Sequence, residues 1–284
     1  MKRVLFVSNG HGEDAIAGAI ARHVRASCSA LTDHFPLVGE PRAVADFTTV
    51  GPRRRMPSGG LIAMFNARNM AADIRAGLVA LTLRQHAFLR TCSKQYDSVV
   101  AVGDTFCLGM SLAASLPTFF VGTAKSVLVA GYGPFERIVL RRAKAVFVRD
   151  EATAAWLRLR RVDAQAPGNV IVDLIDEPDE VPDLGPQAIV LLPGSRRAAY
   201  GDTVTLAAIV RHLAREVSAV RAIIAIAPTL DVAELVRCLR ADGWTIERQE
   251  GNRAFVASTG SEPLLVGWTG GLGGALRAAT IALG

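Results

Sequence analysis

An α/β fold of two domains, each built on a doubly wound parallel sheet, is what this sequence predicts, and three observations carry the prediction. Apolar runs of strand length alternate with longer helical patterns almost throughout, as βαβ units require. The alternation breaks once, at an acidic and proline-rich stretch over 176–186, and then restarts. The 284 residues suit two domains of ordinary size, and half of them are hydrophobic, enough for two cores. Only 6% are aromatic, so Ala, Val and Leu must build those cores, as parallel strands wrapped by Ala-rich helices do.

The first domain is expected over 1–175. A strand covers 2–8; its apolar run at 4–7 falls short of the roughly 7–15 residues of a signal peptide. A helix follows over 15–26. Next come a strand at 98–103, a helix at 108–116 and a strand at 118–122. The uncharged stretch 105–124 is close to the length of a membrane span. Pro117 and its Gly, Ser and Thr content instead predict a buried helix, a break and a buried strand. A strand at 145–149 precedes a helix at 151–159 that opens on acidic residues, as the helix dipole favours. A last short strand is expected at 170–173. After the linker, the second domain is expected over 187–284, with strands at 188–192, 221–227, 244–247 and 254–257. Its helices are expected at 203–216, 230–241 and 272–279, and a strand begins at 280. A last strand with no helix to cover it predicts a second domain incomplete at its C-terminus.

The formal net charge is +6. It is concentrated in Arg53-Arg54-Arg55, in Arg137, Arg141, Arg142 and Lys144, and in Arg158, Arg160 and Arg161. No aromatic residues interleave with these runs and no finger or helix-turn-helix spacing occurs, so nucleic acid is not an expected partner. Most of these runs read as solvated helix faces, and the overall balance suits a phosphorylated substrate or an anionic membrane face. The apolar, Ala-rich region 59–89, behind Arg53 to Arg55, reads either as a surface that docks on such a membrane or as core-packing helices beside a basic loop. The four cysteines, Cys28, Cys92, Cys107 and Cys238, form no CxxC pair and have no His at ligand spacing. Neither a metal site nor a disulfide framework is expected; buried, inert thiols in a reducing cytoplasm are.

Four segments could carry chemistry. Ser8-Asn9-Gly10-His11-Gly12-Glu13-Asp14 joins the first strand to a helix. Gly10 and Gly12 admit a ligand close to the backbone, and Glu13 and Asp14 suit sugar hydroxyls or proton transfer, whereas they would repel a pyrophosphate. Asp14 could instead simply cap the helix. Asp104 sits at the carboxyl end of a strand, where open α/β sheets bind ligands; it could accept a proton from a hydroxyl, or cap the helix that follows. Lys125 and Ser126 leave the sheet after another strand, where Lys125 could meet a phosphate or be a surface cation. Pro193-Gly194-Ser195-Arg196 opens the second domain. It reads either as a diphosphate-binding corner, through backbone donors and the Arg196 fork, or as an ordinary turn.

Together these segments resemble the lipid-A-disaccharide synthase family, and more closely the lipid-A-disaccharide-synthase-related proteins. The Pro193-Gly194-Ser195-Arg196 corner carries the strongest match. Gly10, Asp14, Asp104 and the segment Pro167-Gly168-Asn169-Val170 with Asp173 match more loosely, and His11, Glu13, Asn169, Ala198 and Ala199 depart from the synthase pattern. The resemblance implies a GT-B fold of two Rossmann-like domains, with the acceptor on the first and a UDP-sugar on the second. It implies a glycosyltransferase that moves a sugar from UDP to an acylated or phosphorylated sugar acceptor at the inner membrane face, without metal or cofactor. Asp104 would be the catalytic base, with His11 as rival. Gly10, Gly12, Glu13, Asp14, Lys125 and Ser126 would hold the acceptor, and Gly194, Ser195 and Arg196 the donor. The family's glycine- and threonine-rich donor loop would follow Gly284, so a truncated chain of unsettled activity is the expectation. A UDP-sugar epimerase of the same fold and a non-catalytic lipid- or nucleotide-binding protein are the rival readings.

Overall fold

The computed structural model describes residues 1–38, 47–54, 74–175, 180–185, 187, 188–195, 197–217, 219–260 and 263–284; the side chains of His11 and Pro263 lie outside the description. The chain divides into two compact units, Met1–Leu174 and Ile175–Gly284.

The first unit is a seven-stranded sheet, β1 (Arg3–Ser8), β2 (Leu31–Pro36), β3 (Thr48–Thr49), β4 (Ser98–Gly103), β5 (Thr118–Gly122), β6 (Ala145–Val148) and β7 (Ala164–Gln165). Its spatial order is β3-β2-β1-β4-β5-β6-β7, and every pairing is parallel. Helix α1 (His11–Cys28) crosses from β1 to β2. Glu13 and Asp14 in its first turn and Arg25 in its last complement the helix dipole, and Ser29 ends it in the left-handed conformation. Strand pleating then separates the two cores. Val4 and Phe6 face α1 through Ile16, Ala17 and Ala21, while Leu5 and Val7 face the opposite layer. That layer contains α2 (Leu78–Thr91) and α3 (Thr105–Ser111), which bury Leu89 and Leu108. The remaining helices of this unit are α4 (Pro134–Leu140) and α5 (Glu151–Arg158), the latter capped by the Asp150 carboxylate on the Thr153 amide at 2.8 Å.

The expected strand at 170–173 is instead a short 3-10 turn, Val172–Leu174. The Asn169 carbonyl accepts from the Val172 amide at 3.0 Å, and its side chain accepts from the Ile171 amide at 3.3 Å. This local turn consumes the backbone donors a strand would need. β2 escaped the pattern reading because Thr32, Asp33 and His34 make it look polar. The Asp33 carboxylate accepts from the Arg3 guanidinium at 2.7 Å and from the Tyr96 hydroxyl at 2.9 Å, so distant residues stabilise a strand the local sequence disguises.

The second unit carries a mixed rather than purely parallel sheet. β8 (Ala188–Leu191), β9 (Arg221–Ala225), β12 (Pro263–Trp268) and β13 (Ile281–Leu283) run parallel, while β10 (Thr245–Arg248) and β11 (Arg253–Ser258) add an antiparallel meander, in the order β10-β11-β12-β9-β8-β13. Helices α6 (Ala199–Glu216) and α7 (Val232–Ala241) cover one face through Ala207, Val210, Leu235 and Leu239, and α8 (Leu272–Arg277) covers the other through Ala275 and Trp268.

Of the four thiols, Cys92 and Cys107 are buried, whereas Cys28, at the end of α1, is exposed and Cys238 half-buried, against the expectation that all four are interior. Burial pushes the Cys92 thiol up to about 11. Among the described residues, no helix is long and apolar enough to cross a membrane. Residues 55–73, which include Arg55 and most of the apolar region considered for membrane docking, lie outside the described residues. The described end of that region is a core-packing helix, α2, which buries Leu81, Gln85 and Leu89.

Candidate functional site

Because every strand of the first sheet runs the same way, the carboxyl ends of β1, β4, β5 and β6 form one edge, the place where open α/β sheets take ligands. The sequence-predicted acceptor residues fall on this edge, but they divide between solvent-facing and internal roles.

At the end of β1, Asn9 and Gly10 lead directly into α1. The cap position is Gly10, in an extended conformation with no side chain to offer, and Asp14 turns inward instead. The residue is 5% exposed, and its carboxylate accepts from the Ser8 hydroxyl at 2.6 Å. Ser8 Oγ also lies 2.7 Å from His34 Nε2 on β2. A serine has one proton, and it goes to Asp14, so His34 presents Nε2–H to Ser8. The His34 ring stacks on Phe47 at 4.8 Å. Asp14 therefore anchors the β1–α1 turn from beneath, through a histidine that sequence reasoning missed and that only the polar run 32–34 could have signalled.

Glu13 faces the edge. Its carboxylate folds over Gly10, which leaves no room there for a Cβ, and Oε1 accepts from the Thr123 hydroxyl beyond β5 at 3.3 Å. Gly12 is exposed. His11 opens α1, but its side chain lies outside the described residues.

Asp104 follows β4 and caps α3, accepting from the Cys107 amide at 2.9 Å. It is half-buried, so the cap and the edge share one carboxylate. The preceding Gly103 has φ +140°, and a Cβ there would collide with the Asn9 side chain. That contact brings the β1 and β4 turns together.

Lys125 is not a lone surface cation: its ammonium is 2.7 Å from Glu136 Oε2, and its side chain stays part-exposed. Glu136 also accepts from the Gly133 amide at 2.7 Å and the Thr105 hydroxyl at 2.8 Å, which ties α4 to the turn carrying Asp104. Burial alone would push its carboxyl up. The hydrogen bonds from Lys125, Gly133 and Thr105 outweigh burial and hold it below the usual value of 4.5. A carboxyl lowered on folding contributes stability above its unfolded pKa and loses it as pH falls through the folded one. Glu136→Gln is therefore expected to destabilise the protein at pH 7, with the deficit closing steadily below pH 4.5. Urea unfolding across that range tests this, and a pH-independent deficit overturns it. Sequence reasoning missed Glu136, although Pro134 at the first helical position with a Glu at the third is a helix-start signal. Ser126 is 3% exposed and accepts from the Leu128 amide at 3.2 Å, a buried turn-forming position. Arg149, exposed after β6, supplies a cation on this edge that the sequence reading passed over.

In the second unit, Pro193, Gly194 and Ser195 follow β8 after Leu192. Gly194 has φ +93°, and Ser195 is exposed, its carbonyl accepting from the Thr229 hydroxyl beyond β9 at 2.7 Å. This turn leads to α6, whose cap position, Ala198, offers no side-chain hydrogen bond. Arg196 lies outside the described residues. Among the described residues, no three His, Cys, Asp or Glu side chains gather to hold a metal ion.

No protein-family model matches the chain, and no curated protein matches it in sequence. Solved structures match it in fold. A Listeria monocytogenes protein provisionally assigned as a UDP-N-acetylglucosamine 2-epimerase aligns with a TM-score of 0.61 at 13% identity, covering 99% of this chain and 73% of that one. Staphylococcus aureus MnaA, determined with UDP, aligns with a TM-score of 0.53 at 12% identity over 85% of this chain, which spans 66% of the staphylococcal one. Anabaena HepE in complex with UDP aligns with a TM-score of 0.50 at 12% identity, covering 99% and 73% of the two chains. Likeness at such identity establishes the fold alone: two α/β units with Rossmann-like, parallel-sheet cores of the GT-B type.

Proposed function

We propose that this chain acts on a UDP-sugar, as a glycosyltransferase that passes the sugar to a hydroxyl of a lipid-linked or phosphorylated sugar acceptor, in the manner of the lipid-A-disaccharide synthases it resembles. The observation that carries this reading is the edge of the first sheet. There Asp104, Glu13 and the Glu136–Lys125 pair meet through Thr105 and Thr123, a polar setting suited to sugar hydroxyls. In the transfer, the acceptor hydroxyl gives its proton to Asp104 and its oxygen bonds to the anomeric carbon, while the bond from that carbon to the UDP oxygen breaks. The Gly194-Ser195 turn and the N-terminus of α6 offer backbone N–H groups to the departing diphosphate. Gly12, with open space around it, leaves room for the acceptor, Gly10 lies beneath the Glu13 carboxylate that would meet it, and Arg196 and His11 complete the proposed set. The reaction needs no metal or cofactor, and a place at the cytoplasmic membrane face follows from a lipid-linked acceptor.

A second reading, UDP-sugar 2-epimerisation, is favoured by one observation: among the structures reported above, the best superposition is with a protein assigned to that activity. Proton NMR of UDP-N-acetylglucosamine incubated with the protein separates the two. Epimer formed without any acceptor supports the epimerase. UDP released only in the presence of an acylated sugar phosphate supports the transferase. Binding of UDP with no turnover in either case sinks both and leaves a nucleotide-binding protein.

A further inference from the structure

We infer that the loop after β5 and helix α4 form a docking surface for an anionic lipid bilayer. Four large apolar side chains protrude from this one stretch of chain: Leu128 is 78% exposed, Val129 88%, Phe135 77% and Ile138 56%. Phe135 and Ile138 are one helical turn apart and share a face of α4. Exposure this high means that the side chains stand out from the surface rather than line a groove. That shape suits insertion among lipid headgroups better than the packed pockets of a protein partner.

Charge identifies the occupant. Between residues 123 and 165 lie nine Lys and Arg residues against four Asp and Glu, so this segment carries +5 of the chain's formal +6. Lys125, Arg149 and Arg158 pair with Glu136, Asp150 and Glu151. Among the described residues no ion pair joins the others to a carboxylate, and three of them lean on neutral groups. The Arg137 and Arg160 guanidinium groups lie 5.5 Å and 3.9 Å from the Trp156 ring, and Arg141 donates to the carbonyls of Arg160 and Arg161. Arg142 and Lys144 are exposed just beyond α4. Apolar tips on one strongly cationic stretch of chain are what a negatively charged leaflet attracts, electrostatics bringing the protein in and the apolar side chains holding it.

The surface also has a rigid base. The Val127 amide donates to the Thr153 hydroxyl at 3.0 Å, Arg137 donates to the Tyr132 carbonyl at 2.9 Å, and Trp156 packs beside Gly131. The protruding residues are thus presented by a loop braced against α5, at no further cost in ordering the loop on binding.

The inference goes beyond the proposed reaction and is tested without it, by co-sedimentation of the full chain with vesicles in the absence of nucleotide and sugar. Vesicles of phosphatidylcholine mixed with phosphatidylglycerol are expected to bind it about tenfold more strongly than phosphatidylcholine alone. Leu128→Ser/Val129→Ser/Phe135→Ser is expected to lose about tenfold or more of that binding with thermal stability unchanged, since the three side chains touch mainly water. Arg142→Glu/Lys144→Glu, which leaves the apolar tips intact, is expected to weaken binding to the mixed vesicles only. Equal binding to both vesicle types overturns the inference, as does a triple variant that binds like the wild type. So does a dimer of the wild-type chain that the triple variant dissolves, which would make the face a self-contact. UDP binding measured in parallel keeps the two proposals apart, since failure of the reaction leaves vesicle binding untouched.

Discussion

Asp104→Asn is expected to lower sugar turnover by about 10²- to 10⁴-fold while leaving the melting temperature nearly unchanged, because the carboxylate has two separable tasks. As the cap of α3 it accepts the Cys107 amide at 2.9 Å. An asparagine oxygen does this as well as an aspartate one, so the helix keeps its start and loses only a weak interaction with its dipole. As a base the residue needs a proton-accepting charge, which an amide lacks. Asp104→Ala removes both, and should add a stability loss of about 1 kcal/mol to the same loss of turnover. Turnover assays alongside thermal unfolding of the two variants resolve the roles. If Asp104→Asn turns over normally, Asp104 is only a cap and His11 inherits the proposed role of base.

Asp14→Ala should produce the largest loss of stability of any single change at the edge, about 2–4 kcal/mol. The Ser8 hydroxyl is fully buried and the His34 ring 1% exposed, so neither finds water when the carboxylate goes. Ser8 can then turn its proton only to His34 Nε2, which must give up its own N–H there, and the charge-assisted bond at 2.6 Å is lost. In a unit of this size the change corresponds to a fall in melting temperature of very roughly 4–16 °C. Ser8→Ala/Asp14→Ala removes both partners and should cost clearly less than the sum of the single changes. Circular dichroism on the four proteins checks this. Additive losses, or a melting temperature for Asp14→Ala within a degree or so of wild type, would mean the buried triad contributes nothing as a unit.

Much of the architecture was readable without coordinates. The strands over Ser98–Gly103 and Thr118–Gly122 coincide with their expected runs, and the helix opened by the Asp150 cap begins where its acidic start indicated. These elements announce themselves because local pattern and tertiary environment agree: continuous apolar runs buried on both faces, and caps supplied by neighbouring residues. The misses share a cause as well. β2 is held by Arg3, Tyr96 and Ser8, β12 by an antiparallel partner on one side and a parallel one on the other, and the turn at Val172–Leu174 by an asparagine that folds back on its own backbone.

The candidate edge divides the same way. Glycines and acidic residues after strands marked Gly10, Glu13, Asp104 and Gly194 as positions at carboxyl ends, because a parallel sheet puts all such ends on one edge. What each side chain does there depended on partners tens of residues away. Glu136 claims Lys125 and Thr105, Thr123 meets Glu13, and His34 completes the pair Ser8–Asp14. By itself, then, the sequence determined the α/β class and the strand ends at which chemistry could sit, since these follow from periodicity and turn residues along the chain. Only the tertiary structure decided which carboxylates face outward and which cation is neutralised, and it alone revealed which apolar residues are left in water. Those outcomes are set by contacts between segments that the chain order keeps apart.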